Sequence, residues 1–209
     1  MPRGTVMFPW FLLEGLMRLA FLDVETTGLD PTKHEIIEIA IIVEEGGEIK
    51  EIFETKIKPQ NLERASPEAL EINGYNKNPK AWDSAPNFSE VGHLIAKTLK
   101  GCVLVGHNVG FDEEFIKIMM TRNGMRERIP YHKIDTVTLV FEHLKPLGLQ
   151  RVSLDSIRDF LGWSKFGAHT AMKDVEDTRR LFHLLFRAGL FGRLLLRARL
   201  FFASLRKRL

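Results

Sequence analysis

The sequence predicts a mixed α/β fold: one β-sheet covered by helices. Three observations carry that prediction. Three apolar, β-branched runs come first: Leu19–Val24, Glu35–Val43 ("EIIEIAIIV") and Glu51–Ile57. A further apolar run, "CVLVGH" from Cys102, leads into segments of helical period. A meander followed by strands alternating with helices needs a sheet with both kinds of strand pairing. A chain of 209 residues fits one domain with a substantial core.

The elements follow in order. Gly46-Gly47 in "EEGGEIK" predicts a hairpin turn between the second and third runs. Ser66-Pro67 reads as an N-cap followed by proline in the first turn of a short helix. A second helix fits Ser89–Leu99 and stops at Gly101. "CVLVGH" is a buried strand, and Cys102 within it a buried structural thiol. A helix starts near Phe111. "HKIDTVTL" gives a fifth strand or a helix entrance, with Asp135 as a helix cap. Ser153 caps "LDSIRDFLG", and a long helix runs from near Ala171 to about Ala188, with Gly189 as its stop.

Four acids stand where a core should want none. Asp23 interrupts the first apolar run and Glu25 follows it; residues i and i+2 of a strand share a face. In "GHNVGFDEEFIKIMM", helical spacing puts Asp112 on a stripe with Phe115, Ile116 and Met119. In "HTAMKDVEDTRRLFHLL", Asp174 shares a stripe with Thr178, Leu181 and Leu185. Taken singly, an acid in a first helical turn is more often a cap or dipole partner. Four core-facing acids together cannot all stay ionised and unpaired. No basic partner stands on those stripes, and a pair of hard divalent cations satisfies all four through oxygen ligands. Glu113, Glu114, Glu176 and Asp177 fall off the stripes or at their edges and read as solvated charges and dipole partners. His169 lies five residues before Asp174, off a common helical face, so it reads as a loop residue free to swing over the site as a general base for water. His132, His143 and His183 show no partner pattern and read as structural or exposed.

"DVETTG", "GHNVGFD" and "HTAMKD" resemble, in order and spacing, the three exonuclease motifs of the DEDD superfamily, histidine subclass, the DnaQ-like 3′–5′ exonucleases. The resemblance covers about Arg18 to Ala188. It implies a ribonuclease H-like fold with a five-stranded mixed sheet and the site at the strand ends. It implies that Asp23, Glu25, Asp112 and Asp174 hold two divalent ions, Mg²⁺ or Mn²⁺, with His169 as the base. Thr26, Thr27 and Gly28 would approach the terminal nucleotide, partly through backbone groups. His107 and Asn108 stand as the family's "HN" does, as support or substrate contacts. "SPEALEINGYN" resembles another family element, in which Asn73 replaces a frequent histidine. The implied activity is hydrolysis of the terminal phosphodiester at single-stranded 3′ ends, releasing nucleoside 5′-monophosphates, on DNA in a proofreading or repair role. The alternatives are RNA 3′-end trimming and, in another class, a non-catalytic nucleic-acid-binding or scaffold subunit.

Composition bounds the setting. A single cysteine permits no disulfide within one chain, which fits a reducing, cytoplasmic location. No apolar run is long enough to span a bilayer. The start, "MPRGTVMFPWFLL", has a short apolar part with Asp23 and Glu25 close behind, which does not fit a signal peptide. Residues 1–16 read as an N-terminal extension and 17–189 as the exonuclease domain. From Arg179 onward every charged residue is basic, so the net charge of +3 leaves the first 178 residues net acidic. Residues 190–209 read as a basic amphipathic helix, with Phe191, Leu194 or Leu195, Ala198, Phe202, Leu205 and Leu209 at steps of three and four. Such a helix folds back on its own domain, docks on a polymerase subunit or a second copy, holds nucleic acid, or lies on an anionic membrane surface.

Overall fold

The computed structural model of the protein describes residues 17–186. The predicted extension (1–16) and the predicted tail helix (190–209) lie outside the described residues. Strands β1 (Arg18–Thr26), β2 (Ile36–Glu45) and β3 (Glu48–Lys56) form the expected meander. Gly46 and Gly47 turn the β2–β3 hairpin with φ of +63° and +83°. A two-residue hairpin turn needs positive φ at both positions, which glycine supplies without strain. Helix α1 (Pro67–Ile72) is capped by the Ser66 side chain, as expected, and α2 spans Phe88–Leu99. Strand β4 (Val103–Gly106), helix α3 (Val109–Arg122), strand β5 (Lys133–Asp135) and helices α4 (Thr136–His143), α5 (Leu154–Leu161) and α6 (Ala171–Phe186) complete the order. Helix α3 begins two residues earlier than the periodicity predicts, because Asn108 takes a left-handed φ of +71° and turns the chain straight out of β4.

The sheet has five strands in the order β3-β2-β1-β4-β5. Strand β1 is central, antiparallel to β2 and parallel to β4. Its side chains alternate between two cores. Ala20, Leu22 and Val24 join a core with α2 and α3, while Leu19 and Phe21 join one with α6. Strand β2 is buried on both faces, which its "IIEIAIIV" run, apolar but for Glu38, requires. A third core ties α4, α5 and α6 together through Val140, Leu144, Ile157, Leu181 and Leu185.

What positions the site is the splay between β1 and β4. Their pairing covers Leu19 to Phe21 against Val103 to Val105. Beyond Phe21, β1 runs on to Thr26 with its β4-side edge released. The carboxylates Asp23 and Glu25 occupy that free end, on the face that α6 covers. Among the described residues no helix is long and apolar enough to cross a membrane.

Candidate functional site

Asp23 and Glu25 share one face of β1, and Asp174 in the first turn of α6 meets them. Carboxylate oxygens of these three lie within 4.8 Å of one another. Asp112 comes from α3 on the other face of the sheet and is 3 % exposed. Its Oδ1 accepts the Val24 backbone N–H at 3.0 Å, on the strand edge that β4 has left. The four predicted acids therefore converge, three as a cluster and the fourth hydrogen-bonded to the residue between two of them. Glu38 sits directly across from Glu25 in the β1–β2 register and across from Lys56 in the β2–β3 register. It pairs with Lys56, and its Oε1 accepts the Ala171 N–H at 3.0 Å, which fixes the start of α6.

The sequence reading found no basic partner for these acids; the structure corrects it. Arg158 in α5 is fully buried, and its guanidinium bonds three carboxylates: Asp174 Oδ1 at 2.6 Å, Asp177 Oδ2 at 2.8 Å and Asp155 Oδ1 at 2.9 Å. The signal was present. Arg158 stands on the apolar stripe Leu154, Ile157, Leu161 at helical spacing, the same anomaly that singles out Asp112. Glu38 interrupts an apolar run as Asp23 does and was missed in the same way. The solvated reading of Glu113 and Asp177 is also corrected. Asp177 is buried between Arg158 and Lys173, and Glu113 between Lys117 and Lys133. Glu114 and Glu176 are exposed, as predicted.

His169 lies in the loop before α6, with φ of +65°. Its N–H approaches Asp174 Oδ1 at 3.3 Å, and its Nε2 lies 3.3 Å from Asp155 Oδ2. Asp155 thus bridges Arg158 and His169 with its two oxygens. The ring is partly exposed, at the rim of the cluster.

The turn after β1 is held rigid. Thr26 and Thr27 are buried; the Thr26 hydroxyl donates to the Gly28 carbonyl at 2.7 Å, and Thr27 Oγ1 accepts the Glu35 N–H at 2.9 Å. A Cβ on Gly28 would meet the His34 ring at 2.5 Å, so a larger residue there would push that ring aside. Asn73 caps α1 and donates to the Thr26 carbonyl at 3.0 Å. Its amide thus supports this turn from inside the protein. Both ring nitrogens of His107 are engaged, with Thr136 Oγ1 at 2.9 Å and the Val152 carbonyl at 2.6 Å. Burial lowers its pKa, and the two bonds tie the end of β4 to the start of α4 and to the segment before α5. The Asn108 side chain is exposed. Asp135 caps α4 through the Val137 N–H and also accepts the Asn108 N–H, as its helix-cap reading expects. His183 does have a partner, Glu44, at 2.9 Å. Beside the acids opens a cleft of about 260 Å³ lined by Glu25, Thr26, Leu29, Ser66, Asn73 and Phe111.

Burial raises the pKa of each clustered acid. Glu25 is pushed up to about 8 by burial and then by Asp174 and Glu38. Burial pushes Asp112 up to about 7. Asp23 is raised by burial and by the facing Asp112, Asp174 and Glu25. Asp174 is also raised, because burial outweighs the pull of Arg158. Packed, desolvated carboxylates of this kind are hard oxygen donors that a divalent cation would relieve, so the residues present fit such an ion. The sign of the consequence is definite. A carboxyl whose folded pKa is raised favours the fold while protonated and loses that contribution as pH rises through the folded value. The metal-free protein should therefore lose thermal stability as pH rises from about 4.5 to about 8, the window set by Glu25. Adding Mn²⁺ should restore it, more at the upper end. A melting temperature that is flat over this range with chelator present would contradict the clustering.

The family model described as exonuclease matches residues 20–182. The PolC-type DNA polymerase III of Thermotoga maritima is 35% identical over 162 residues, which is 77% of this chain and 11% of that protein. A Staphylococcus aureus protein named 3′-5′ exonuclease DinG is 30% identical over 172 residues, 82% of this chain and 18% of that protein. The chain therefore spans only a small part of the length of these relatives. Among solved structures, Escherichia coli exonuclease I in complex with a dT13 oligonucleotide superposes with a TM-score of 0.67 at 20% identity, covering 81% of this chain and 41% of that one. That likeness is one of fold, a five-stranded mixed sheet flanked by helices.

Proposed function

The chain belongs to the exonuclease family, and on that premise we propose that it is a metal-dependent 3′–5′ exonuclease acting on single-stranded DNA ends. The observation that carries the reading is the cluster of Asp23, Glu25 and Asp174, with oxygens within 4.8 Å of one another at the free end of the central strand. These three and Asp112 would hold two Mg²⁺ or Mn²⁺ ions. Bound there, the ions supply a lowered pKa for the attacking water and charge stabilisation for the leaving oxygen.

The chain's own residues do the rest. The cleft beside Glu25 takes the 3′-terminal nucleotide, with Leu29 and Phe111 offering apolar surface to the base. Such contacts read no base edge, which fits an enzyme indifferent to sequence. Thr26, at the start of the rigid turn, forms part of one wall. His169 accepts a proton from the attacking water, and Asp155 holds the imidazole at the cluster rim. The water oxygen bonds to phosphorus, the bond to the 3′ oxygen of the penultimate nucleotide breaks, and a nucleoside 5′-monophosphate leaves.

The deciding experiment is release of mononucleotides from 3′-labelled single-stranded DNA and RNA oligonucleotides, with Mg²⁺, Mn²⁺ or chelator. The expected result is release from DNA that stops in chelator. Preferential release from RNA would shift the reading to 3′-end trimming, and binding without release from either would make the chain a scaffold. His169→Ala should lower turnover by roughly two to four orders of magnitude. Unchanged turnover in the variant would remove His169 from the role.

A further inference from the structure

A second cleft lies beyond the first. It encloses about 450 Å³, and Lys33, Lys58, Arg64 and Arg122 line it. Its floor holds Glu35, which is 5 % exposed and accepts N–H groups from Gln60 at 2.8 Å and from Asn61 at 2.9 and 2.8 Å. That carboxylate is spent inside the protein. Lys58 donates to the Asp83 carbonyl at 3.2 Å, and Arg122 to the His34 carbonyl at 3.0 Å. Carbonyl partners orient these cations without neutralising them. Lys33 pairs with Asp30 at 2.9 Å, and Arg64 reaches Glu63 only at 3.9 Å; both cations are exposed. The rim therefore keeps a net positive charge on a body that is otherwise net acidic.

The two clefts share their walls. Residues 29–35 and 58–66 bound both: Leu29 and Ser66 face the carboxylate side, Lys33 and Arg64 the basic side. The Ser66 N–H donates to the Thr27 carbonyl at 2.7 Å and ties the two loops into one ridge. A strand whose 3′ end sits beside Glu25 meets the basic cleft once it crosses that ridge. An acidic body repels a polyanion, so a local cationic cleft decides where the strand runs. We propose that the Lys33–Lys58–Arg64–Arg122 cleft is a backbone-binding site that holds phosphodiester groups of the strand 5′ to the nucleotide being removed. The inference rests on the exonuclease reading for the direction of the strand. The chemistry it needs, phosphate on lysine and arginine, is independent of base identity.

The test uses the full chain. Affinity for a single-stranded dT20 is measured in chelator across a salt series, and turnover on a trinucleotide is measured with Mn²⁺. In Lys58→Gln/Arg64→Gln, and separately in Arg122→Gln, dT20 affinity should fall. The slope of log affinity against log salt should shrink by about 0.7 for each phosphate that the variant no longer neutralises. Trinucleotide turnover should fall less than dT20 affinity in the double variant, because the short substrate offers the cleft at most one phosphodiester. Unchanged affinity and slope in both variants would overturn the proposal. Loss of binding to inorganic phosphate or a free nucleoside 5′-monophosphate, with dT20 binding unaffected, would also overturn it, in favour of a product site. A wild-type protein that binds dT20 with this salt dependence but hydrolyses no trinucleotide would fail the exonuclease reading and leave the cleft standing.

Discussion

Asp23→Asn, Glu25→Gln, Asp112→Asn and Asp174→Asn are each expected to bring mononucleotide release down to background while the protein stays folded. On the proposed reading each removes a ligand charge from one shared site, so no variant would leave a working pair of ion positions. The fold should survive for reasons visible at each residue. Asparagine at 112 keeps an oxygen to accept the Val24 N–H that Asp112 accepts at 3.0 Å. Glu25 faces Glu38 across β1 and β2, so glutamine there relieves a like-charge pair. The two effects separate by pH. With its pKa near 8, Glu25 is already protonated at about pH 5, and Glu25→Gln should then change the melting temperature little. Above pH 8, where the wild-type carboxylate is charged, the variant should melt higher in chelator. A variant that keeps near-wild-type release in Mg²⁺ would lose its place among the ligands. Asp174→Asn should be the least favourable for stability, because it also takes a partner from the buried Arg158.

Much of this was legible from periodicity. An apolar run with a carboxylate inside it is a strong signal, because burying a charge is costly unless something offsets it. Asp23, Asp112 and Asp174 announce themselves in that way, and the Ser66 cap, the Gly46-Gly47 turn and the opening three-strand meander follow from equally local rules. What was not legible is relational. Nothing local says that Glu38 faces Glu25, since that depends on the register between strands separated by a loop. The engaged nitrogens of His107 and the inward amide of Asn73 depend on segments far away in sequence, Val152 and Thr26. Glu113 and Asp177 were misplaced because a one-helix stripe ignores cations supplied by other segments, Lys133 and Arg158. Arg158 is the instructive miss. It carried the same local anomaly as the acids, but an arginine on an apolar stripe reads readily as a long side chain reaching solvent.

Arg158→Met is expected to destabilise the metal-free protein by about 3–5 kcal/mol, the usual cost of breaking a buried ion network by removing one partner. For a chain of this size that is a fall in melting temperature of roughly 6–20 °C. The guanidinium is fully buried and spans Asp155, Asp174 and Asp177. Methionine fills a similar volume but leaves Asp174 without its ion pair, Asp177 with Lys173 alone and Asp155 with His169 alone. Arg158→Lys should recover only part of the loss, because a single ammonium cannot match a planar fork bonded on three sides. Arg158→Met/Asp177→Asn should recover more, since it removes the carboxylate that has least access to a metal ion. By contrast, breaking the exposed Arg64–Glu63 pair should cost at most about 1 kcal/mol. Metal then separates two roles. If Arg158 acts chiefly as a counter-ion, its loss makes the cluster more negative, and Mn²⁺ should raise the melting temperature more in Arg158→Met than in wild type. If it acts chiefly by aiming Asp174, the Mn²⁺ increment should shrink, and turnover should fall with it because Asp155 no longer holds His169. One guanidinium bonded to three carboxylates, Asp174 among them at 2.6 Å, favours the first outcome. A melting temperature equal to wild type in Arg158→Met would show that the network contributes nothing to stability.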